Sequence, residues 1–369
     1  VIYLDHAATT PLSAAVLDAM LPYLRERFGN ASEPHAHGRA ARAGLDAARA
    51  EVGDVLGALA TDVVFTGSGT EADNIAVAGR LAGGGRVVAS AIEHPAVRER
   101  LLAYAASGGA VAWVPVDGDG VLDLAALEAL VRPDDALCAV MWANNVTGAV
   151  QPIAGVAAVC RERRVPLHVD AVQAATALPI DAGMLGEAGT LAVAAHKLGG
   201  PKGVGALVGR GLRSLAPTVF GGGQEGGLRP GTEDVAGAVG LATALAARSL
   251  DPARARLRDR LEAELGLPVA AAGAPRLPGH ACLLTGVRGD TLVRLLDEEG
   301  FSVAAGSACA SGDAAPSHVL VAMGIDDHVA RGALRVTLGP STTAAEVAAF
   351  ASAFRRLHGE LARAAAAVA

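Results

Sequence analysis

Leu167-His168-Val169-Asp170-Ala171-Val172-Gln173 and the later run Leu191-Ala192-Val193-Ala194-Ala195-His196-Lys197 decide how this chain is read. Each is a short, mostly apolar stretch that ends in charged or polar side chains. Runs of this length, rich in Val and Leu, are expected as strands of a buried parallel sheet. Comparable runs lie at residues 63–65, 86–89, 111–114 and 139–142, and helical patterns at 70–81, 124–131 and 153–163. From about residue 12 to residue 210, strands thus alternate with helices. That alternation predicts an α/β fold, a mostly parallel sheet sandwiched by helices. Ligands of open α/β sheets sit beyond the carboxyl ends of the strands, where Asp170 and Lys197 fall.

After residue 251 the texture changes. A helix rich in Arg and Glu precedes an apolar run at 281–287, a helix at 291–299, a strand at 334–338 and an Ala-rich helix at 343–366. This reads as a smaller α+β domain at the C-terminal end. The expected division is a large domain over residues 12–248 and a small one made of residues 1–11 plus 249–369, which carries Cys309. The glycine-rich stretch 221–227 is expected to be an irregular loop with exposed backbone, a kind of segment that often carries function. Residues 235–247 are apolar but too few to span a bilayer, which predicts a buried helix and no membrane segment.

Composition narrows the function classes. With 369 residues, 51% hydrophobic and 19% charged, the chain has core enough for two domains and lacks the signature of disorder. Lys plus Arg number 31 against 38 Asp plus Glu, a net charge of −7 without a basic cluster, so nucleic acid is not an expected partner. Aromatic residues are only 3%, so the core must be packed from Ala, Val and Leu. Cys138, Cys160, Cys282 and Cys309 are scattered and form no zinc or disulfide pattern, which suits a reducing, cytoplasmic location. No basic segment followed by an apolar one opens the chain, so no signal peptide is expected.

Three places carry chemistry. Phe65-Thr66-Gly67-Ser68-Gly69-Thr70-Glu71 follows a strand and opens a helix, with Ser68 and Glu71 spaced as a capping box. It reads either as an ordinary connector or as a backbone cradle for a phosphate. Asp170, at a strand end, reads either as the cap of the next helix or as the partner of a protonated ring nitrogen. Lys197 is carried inward by its apolar run, and a desolvated amine of lowered pKa suits Schiff-base chemistry. Together these supply the three contacts that pyridoxal phosphate needs: phosphate anchor, pyridinium partner and Schiff-base amine. Elsewhere, Cys138, Cys282, Trp113 and Trp142 read as packing. Cys160, beside Arg161 and Arg163, reads as a somewhat activated thiol, and His35 and His37 as residues of a surface or site-rim loop.

Longer motifs then add up. They are Tyr3-Leu4-Asp5-His6-Ala7-Ala8-Thr9-Thr10-Pro11, Phe28-Gly29-Asn30, Gly69-Thr70-Glu71-Ala72-Asp73-Asn74, Glu93-His94, Asn144-Asn145, His168-Val169-Asp170-Ala171 and Ala195-His196-Lys197. Further on come Gly221-Gly222-Gly223-Gln224-Glu225, Arg229-Pro230-Gly231-Thr232, Gly306-Ser307-Ala308-Cys309-Ala310-Ser311-Gly312, Pro316-Ser317-His318-Val319-Leu320 and Leu334-Arg335. In this order the chain resembles the class V aminotransferase family of fold-type I pyridoxal phosphate enzymes, and within it the cysteine desulfurases of the NifS and IscS type. The Cys309 segment is what sets desulfurases apart from other class V members.

The resemblance implies a homodimer that converts L-cysteine to L-alanine and leaves the sulfur as a persulfide on Cys309 for an acceptor or scaffold protein, as in iron-sulfur cluster assembly. It implies that Lys197 carries the cofactor, Asp170 pairs with its ring nitrogen, Gln173 and Asn145 touch the ring oxygen, and His94 stacks on the ring and moves protons. Gly69, Thr70 and His196 would hold the phosphate, with Thr232 from the partner subunit. Asn30 and Arg335 would bind the substrate carboxylate. The family alternatives are selenocysteine lyase or another class V reaction; a sulfur-relay protein with a vestigial site is the non-enzymatic one. Three positions depart from the usual pattern: Ala194 where Ser or Thr is usual, Val146 in place of Glu, and Pro230 in place of Ser.

Overall fold

The structure, a computed structural model, describes residues 1–306 and 315–368; Cys309 lies outside them. The chain enters as β1 (Ile2–Tyr3) and continues through α1 (Ala14–Arg25), α2 (Ala36–Leu56), β2 (Val63–Thr66), α3 (Gly69–Leu81), β3 (Val87–Ser90), α4 (Pro95–Ala106) and β4 (Val111–Val114). It goes on with α5 (Leu124–Leu130), β5 (Leu137–Ala139), α6 (Ile153–Arg163), β6 (Leu167–Asp170), β7 (Thr190–Ala194), β8 (Gly205–Val208) and α7 (Val235–Ala246). Seven strands form one sheet in the order β2-β8-β7-β6-β5-β3-β4. Only β8 runs against its neighbours β2 and β7; the other pairs are parallel. Every residue of β5, β6 and β7 is buried; β5 and β7 therefore read as nearly continuous apolar runs, whereas β6 alternates Leu167 and Val169 with His168 and Asp170.

The predicted α/β sheet is therefore the one observed, with local differences. The strand expected at residues 139–142 lies at Leu137–Ala139. Val140 and Trp142 still donate to the carbonyls of His168 and Asp170, but the Met141 N–H goes to the Glu93 carboxyl at 2.7 Å, so the ladder is diverted. His35 and His37 are not in a loop. His35 caps α2, its Nδ1 accepting the Gly38 N–H at 3.2 Å, and His37 lies in the first turn. The inner face of α2 (Gly38, Ala41, Gly44, Leu45, Ala48, Val52, Gly53, Leu56) is mostly glycine and alanine, too weak a contrast to stand out in the sequence.

Cys160 is 2% exposed and faces the Cys138 thiol in the core, while Arg161 points to solvent; helical geometry puts the thiol on the face away from that charge. The glycine-rich segment is also more ordered than expected. Gln224–Gly227 forms a tight turn in which Glu225 adopts φ 49°. The Glu225 carboxylate accepts two bonds from Arg49 at 2.7 and 2.6 Å and one from the Phe65 N–H at 2.9 Å. A buried, bidentate ion pair holds the loop to α2 and β2.

The rest of the chain forms α8 (Ala253–Leu265), β9 (His280–Leu284), α9 (Gly289–Glu298), β10 (Phe301–Ser302), β11 (Ala304–Ala305), α10 (His318–Ala322), α11 (Asp327–Arg331), β12 (Ala333–Thr337) and α12 (Ala344–Val368). A three-stranded antiparallel sheet, β11-β12-β9, and the parallel pair β1-β10 lie here. Leu4 joins Leu261, Leu283, Leu334, Phe350 and Phe354 in a second core. The N-terminus thus starts among C-terminal elements, and the strap formed by residues 5–13 then crosses to the turn that bears Lys197. No helix among the described residues is long and apolar enough to cross a membrane.

Candidate active site

β6 and β7 are parallel neighbours, with Asp170 opposite Ala192, so their carboxyl ends open on the same edge of the sheet. Asp170 ends β6 and is 5% exposed. Its Oδ1 accepts the Val172 N–H at 2.9 Å, so the capping contact exists, and it uses one oxygen. Burial raises the carboxyl pKa, and the charges of His94 and Lys197 pull it partly back. Among the described residues Asp170 forms no ion pair.

Lys197 closes the single turn after β7. Its Nζ donates to the carbonyls of Ala7 at 2.6 Å and Ala8 at 2.7 Å. Burial, then the nearby Arg335 guanidinium, lower its pKa to about 8 against the opposing pull of Asp170 and Asp5. His94 caps α4: its Nδ1 accepts the Ala96 N–H at 3.1 Å, which leaves the proton on Nε2. Burial lowers the proton affinity of this imidazole, with Asp170 acting in the opposite sense. These three groups feel one another's charge and form the centre of the site.

Around them the strap is held closely. The His196 carbonyl accepts from the N–H and Oγ1 of Thr10 at 2.8 and 2.7 Å, and its ring Nδ1 meets Thr9 Oγ1 at 3.2 Å. Burial and the charges of Lys197 and Lys202 push the His196 ring down to about 4, so it is neutral. Gln173 donates through Nε2 to the Ala7 carbonyl at 2.9 Å. Arg335 donates to the Asn145 carbonyl at 2.9 Å and pairs with Asp5 at 2.7 Å, while its Nε is buried without a partner among the described residues.

At the start of α3, Ser68 Oγ accepts the Glu71 N–H at 3.0 Å, as the capping-box spacing predicts. The Glu71 carboxylate, however, reaches back past Ser68 to the Gly67 N–H and also binds Arg229. Gly69 lies so close to the ends of β6 and β7 that a Cβ there would come within 2.7 Å of Val172 Cγ2 and 3.4 Å of the Ala194 Cβ. The N–H groups of Gly69 and Thr70, in the first helical turn, have no intrahelical acceptor. That is the geometry in which helix starts bind anions.

Two sequence-selected residues stand apart. Asn30 spends its Oδ1 on the Ser32 N–H, and Thr232 is exposed between Gly231, held by Gln224, and Glu233, held by Arg42. Among the described residues no hydrogen bond joins either to Lys197, Asp170 or His94.

Other residues were not singled out by the sequence for a role and are central here. Asp5 is the partner of Arg335. Glu93 is 1% exposed; Oε1 accepts from Ser90 at 2.5 Å and Met141 at 2.7 Å, and Oε2 is buried without a partner. His168, on the same face of β6 as Asp170, meets Asp73 Oδ1 through Nε2 and Thr190 Oγ1 through Nδ1, both at 3.0 Å. Burial, and then Asp170 and Glu93, raise Asp73 well above the usual carboxyl range. The alternation His168-Val169-Asp170 was the available signal, since residues two apart on a strand share a face.

Burial raises Glu93 from the usual 4.5 to about 8, so it holds its proton in the folded protein where the unfolded chain has lost it. Its stabilising contribution is therefore full below about pH 4.5 and fades as pH rises through about 8. The melting temperature is expected to fall across this window, and to fall less steeply in Glu93→Gln. Identical slopes for the two proteins in calorimetry would remove Glu93 as the source.

The donor set fits pyridoxal phosphate: a lysine amine with lowered proton affinity, a buried carboxyl that forms no ion pair among the described residues, an imidazole of lowered proton affinity and helix N–H groups without intrahelical acceptors. A sheet of this topology with such groups at adjacent strand ends defines a pyridoxal phosphate enzyme. The aminotransferase class-V profile matches residues 2–350, and the chain belongs to that family. It is 45% identical to an IscS-like cysteine desulfurase of Mycobacterium tuberculosis (strain ATCC 25618 / H37Rv), covering 98% of this chain and 96% of that protein. Among solved structures, a NifS-like protein superposes with a TM-score of 0.89 at 34% identity, covering 98% of this chain and 100% of that one. SspA in complex with cysteine superposes with a TM-score of 0.83 at 31% identity, covering 93% and 100%.

Proposed function

We propose that these residues hold pyridoxal phosphate and that the chain, a cysteine desulfurase, turns L-cysteine into L-alanine while Cys309 takes the sulfur. The observation that carries the reading is Lys197: a half-buried amine with its pKa lowered to about 8, which feels the charge of the buried Asp170. When bound, the cofactor supplies an electron-withdrawing ring that stabilises negative charge on the carbon next to the substrate amine.

Lys197 would hold the cofactor through Nζ, and the Asp170 carboxylate would keep a proton on the ring nitrogen. Gln173 and Asn145 would face the ring oxygen and His94 the ring itself. Gly69, Thr70 and His196 would take the phosphate, joined by the partner subunit's Thr232 in a homodimer. The substrate carboxylate is assigned to Arg335, whose unpaired Nε leaves a donor for it, and to Asn30. Lys197 Nζ removes the α-proton. The Cys309 thiolate then attacks the substrate sulfur, so that an S–S bond forms, the C–S bond breaks and its electron pair stays with the carbon skeleton. Protonation, with His94 Nε2 as one donor, completes alanine. The persulfide passes to an acceptor protein, and the cytoplasm is the setting assigned to it. The division into a large domain, 12–248, and a small one that carries Cys309 is part of the same reading.

Incubation with L-cysteine is expected to yield alanine without a keto-acid co-substrate and to add one sulfur to the peptide containing Cys309, as read by mass spectrometry. In Cys309→Ser the added sulfur disappears while the visible absorbance of the loaded protein remains. Desulfuration by that variant at the wild-type rate would overturn the assignment.

A further inference from the structure

A cavity of about 380 Å³ lies behind the strap, bordered by the end of α7, the start of α8 and the segment after β12. It shares Ala7, Gln173 and Lys197 with the catalytic site but is not lined by His94, Asp170, Asn145 or Arg335. Much of its wall is apolar, from Leu12, Ala177, Ala244, Leu277 and Leu338. The polar lining includes His6, Arg248, Arg254 and His280, and among the described residues no Asp or Glu lines it.

The polar groups are poorly satisfied. Among the described residues, His6 Nδ1, Arg248 Nε and His280 Nε2 are buried without a hydrogen-bond partner, and His280 is only 6% exposed. Arg248 donates to the Leu245 carbonyl at 2.8 Å and Arg254 to the Ser249 carbonyl at 2.9 Å. Among the described residues neither forms an ion pair with a carboxylate. Burial lowers the proton affinity of both guanidinium groups, with Asp251 acting in the opposite sense on Arg254. It does the same to His280, on which Arg335, Arg254, Lys197 and Arg258 all act with the same sign. Half-buried guanidinium groups that form no ion pair among the described residues, and a buried imidazole with an unused ring nitrogen, are costly to keep. An anion entering the cavity would relieve both costs at once.

We propose that this cavity binds an amphiphilic carboxylate, its head against Arg248, Arg254 and His280 and its apolar body against Leu277, Leu338 and Ala244. The volume falls in the range of small-molecule pockets, and a largely apolar wall with a few converging polar groups is their usual make-up. Cysteine has no apolar body to fill it. The occupant would rest against Ala7, whose carbonyl also receives Lys197 and Gln173. Binding here is therefore felt by the strap that covers the catalytic lysine.

The test is calorimetric titration of the cofactor-loaded protein with octanoate, octanol and inorganic phosphate. Octanoate is expected to bind at one site per chain, at least about tenfold tighter than either octanol or phosphate. Arg254→Gln, verified as folded by circular dichroism, is expected to weaken octanoate by about tenfold or more. Ala244→Leu leaves every charge in place and fills part of the apolar wall, so it is expected to weaken octanoate as well. Octanol or phosphate binding as tightly as octanoate would overturn the proposal. So would unchanged affinity in both variants, or no octanoate binding up to about 10 mM.

Discussion

Lys197→Ala is expected to lower turnover of cysteine by at least about 10⁴-fold, because covalent attachment and proton removal are lost with one amine. The loss is chemical rather than structural. The side chain contributes two hydrogen bonds to the strap, at 2.6 and 2.7 Å, and bonds of this charged kind are each worth about 1.5–3 kcal/mol. The variant therefore melts earlier but still folds around the same sheet. Its visible absorbance after exposure to pyridoxal phosphate should be absent, whereas borohydride should bleach and fix the cofactor in the wild type. The amine must be neutral to attack, so the rate at which cofactor-free wild type takes up pyridoxal phosphate should rise with pH through about 8. Wild-type turnover by Lys197→Ala, or uptake independent of pH, would displace this lysine from the mechanism.

Asp170→Ala and Asp170→Asn together decide between the two readings of that carboxyl. If it only capped the turn after β6, Asn would serve as well, since a side-chain oxygen could still accept the Val172 N–H. If its charge holds a proton on the ring nitrogen, both variants fail alike. Removing one partner of a buried ion pair typically costs about 3–5 kcal/mol. Carried into the barrier, that corresponds to a loss of roughly 10²- to 10³-fold or somewhat more. Both variants are expected to show it in kcat, together with weaker cofactor retention during dialysis. Asn at near wild-type turnover, with only Ala impaired, would leave Asp170 as a cap.

Much of this was legible in the chain itself. The sheet strands from Val63 to Ala194 appear as short apolar runs because both sheet faces are covered, and full burial needs no partner to be named. Asp170 and Lys197 stood out for the same reason, as charged groups carried inward at the ends of such runs. The start of α3 showed itself through Ser68 and Glu71, three residues apart. What stayed hidden has weak contrast or long range. The inner face of α2, mostly glycine and alanine, carries little signal, so His35 looked like a loop residue. The glycine-rich turn looked unconstrained because Arg49, which pins Glu225, lies 176 residues away.

The local sequence thus determined which segments become strands and helices, and where the chemistry-bearing residues emerge, because period and burial act over a few residues. The tertiary structure alone decided how those residues meet: that Arg335 pairs with Asp5 across 330 residues, that the strap carbonyls of Ala7 and Ala8 receive Lys197, that Glu93 keeps its proton, and that Arg248, Arg254 and His280 line one cavity. The physical reason is that desolvation and charge pairing depend on distance in space, and only the closed chain sets those distances.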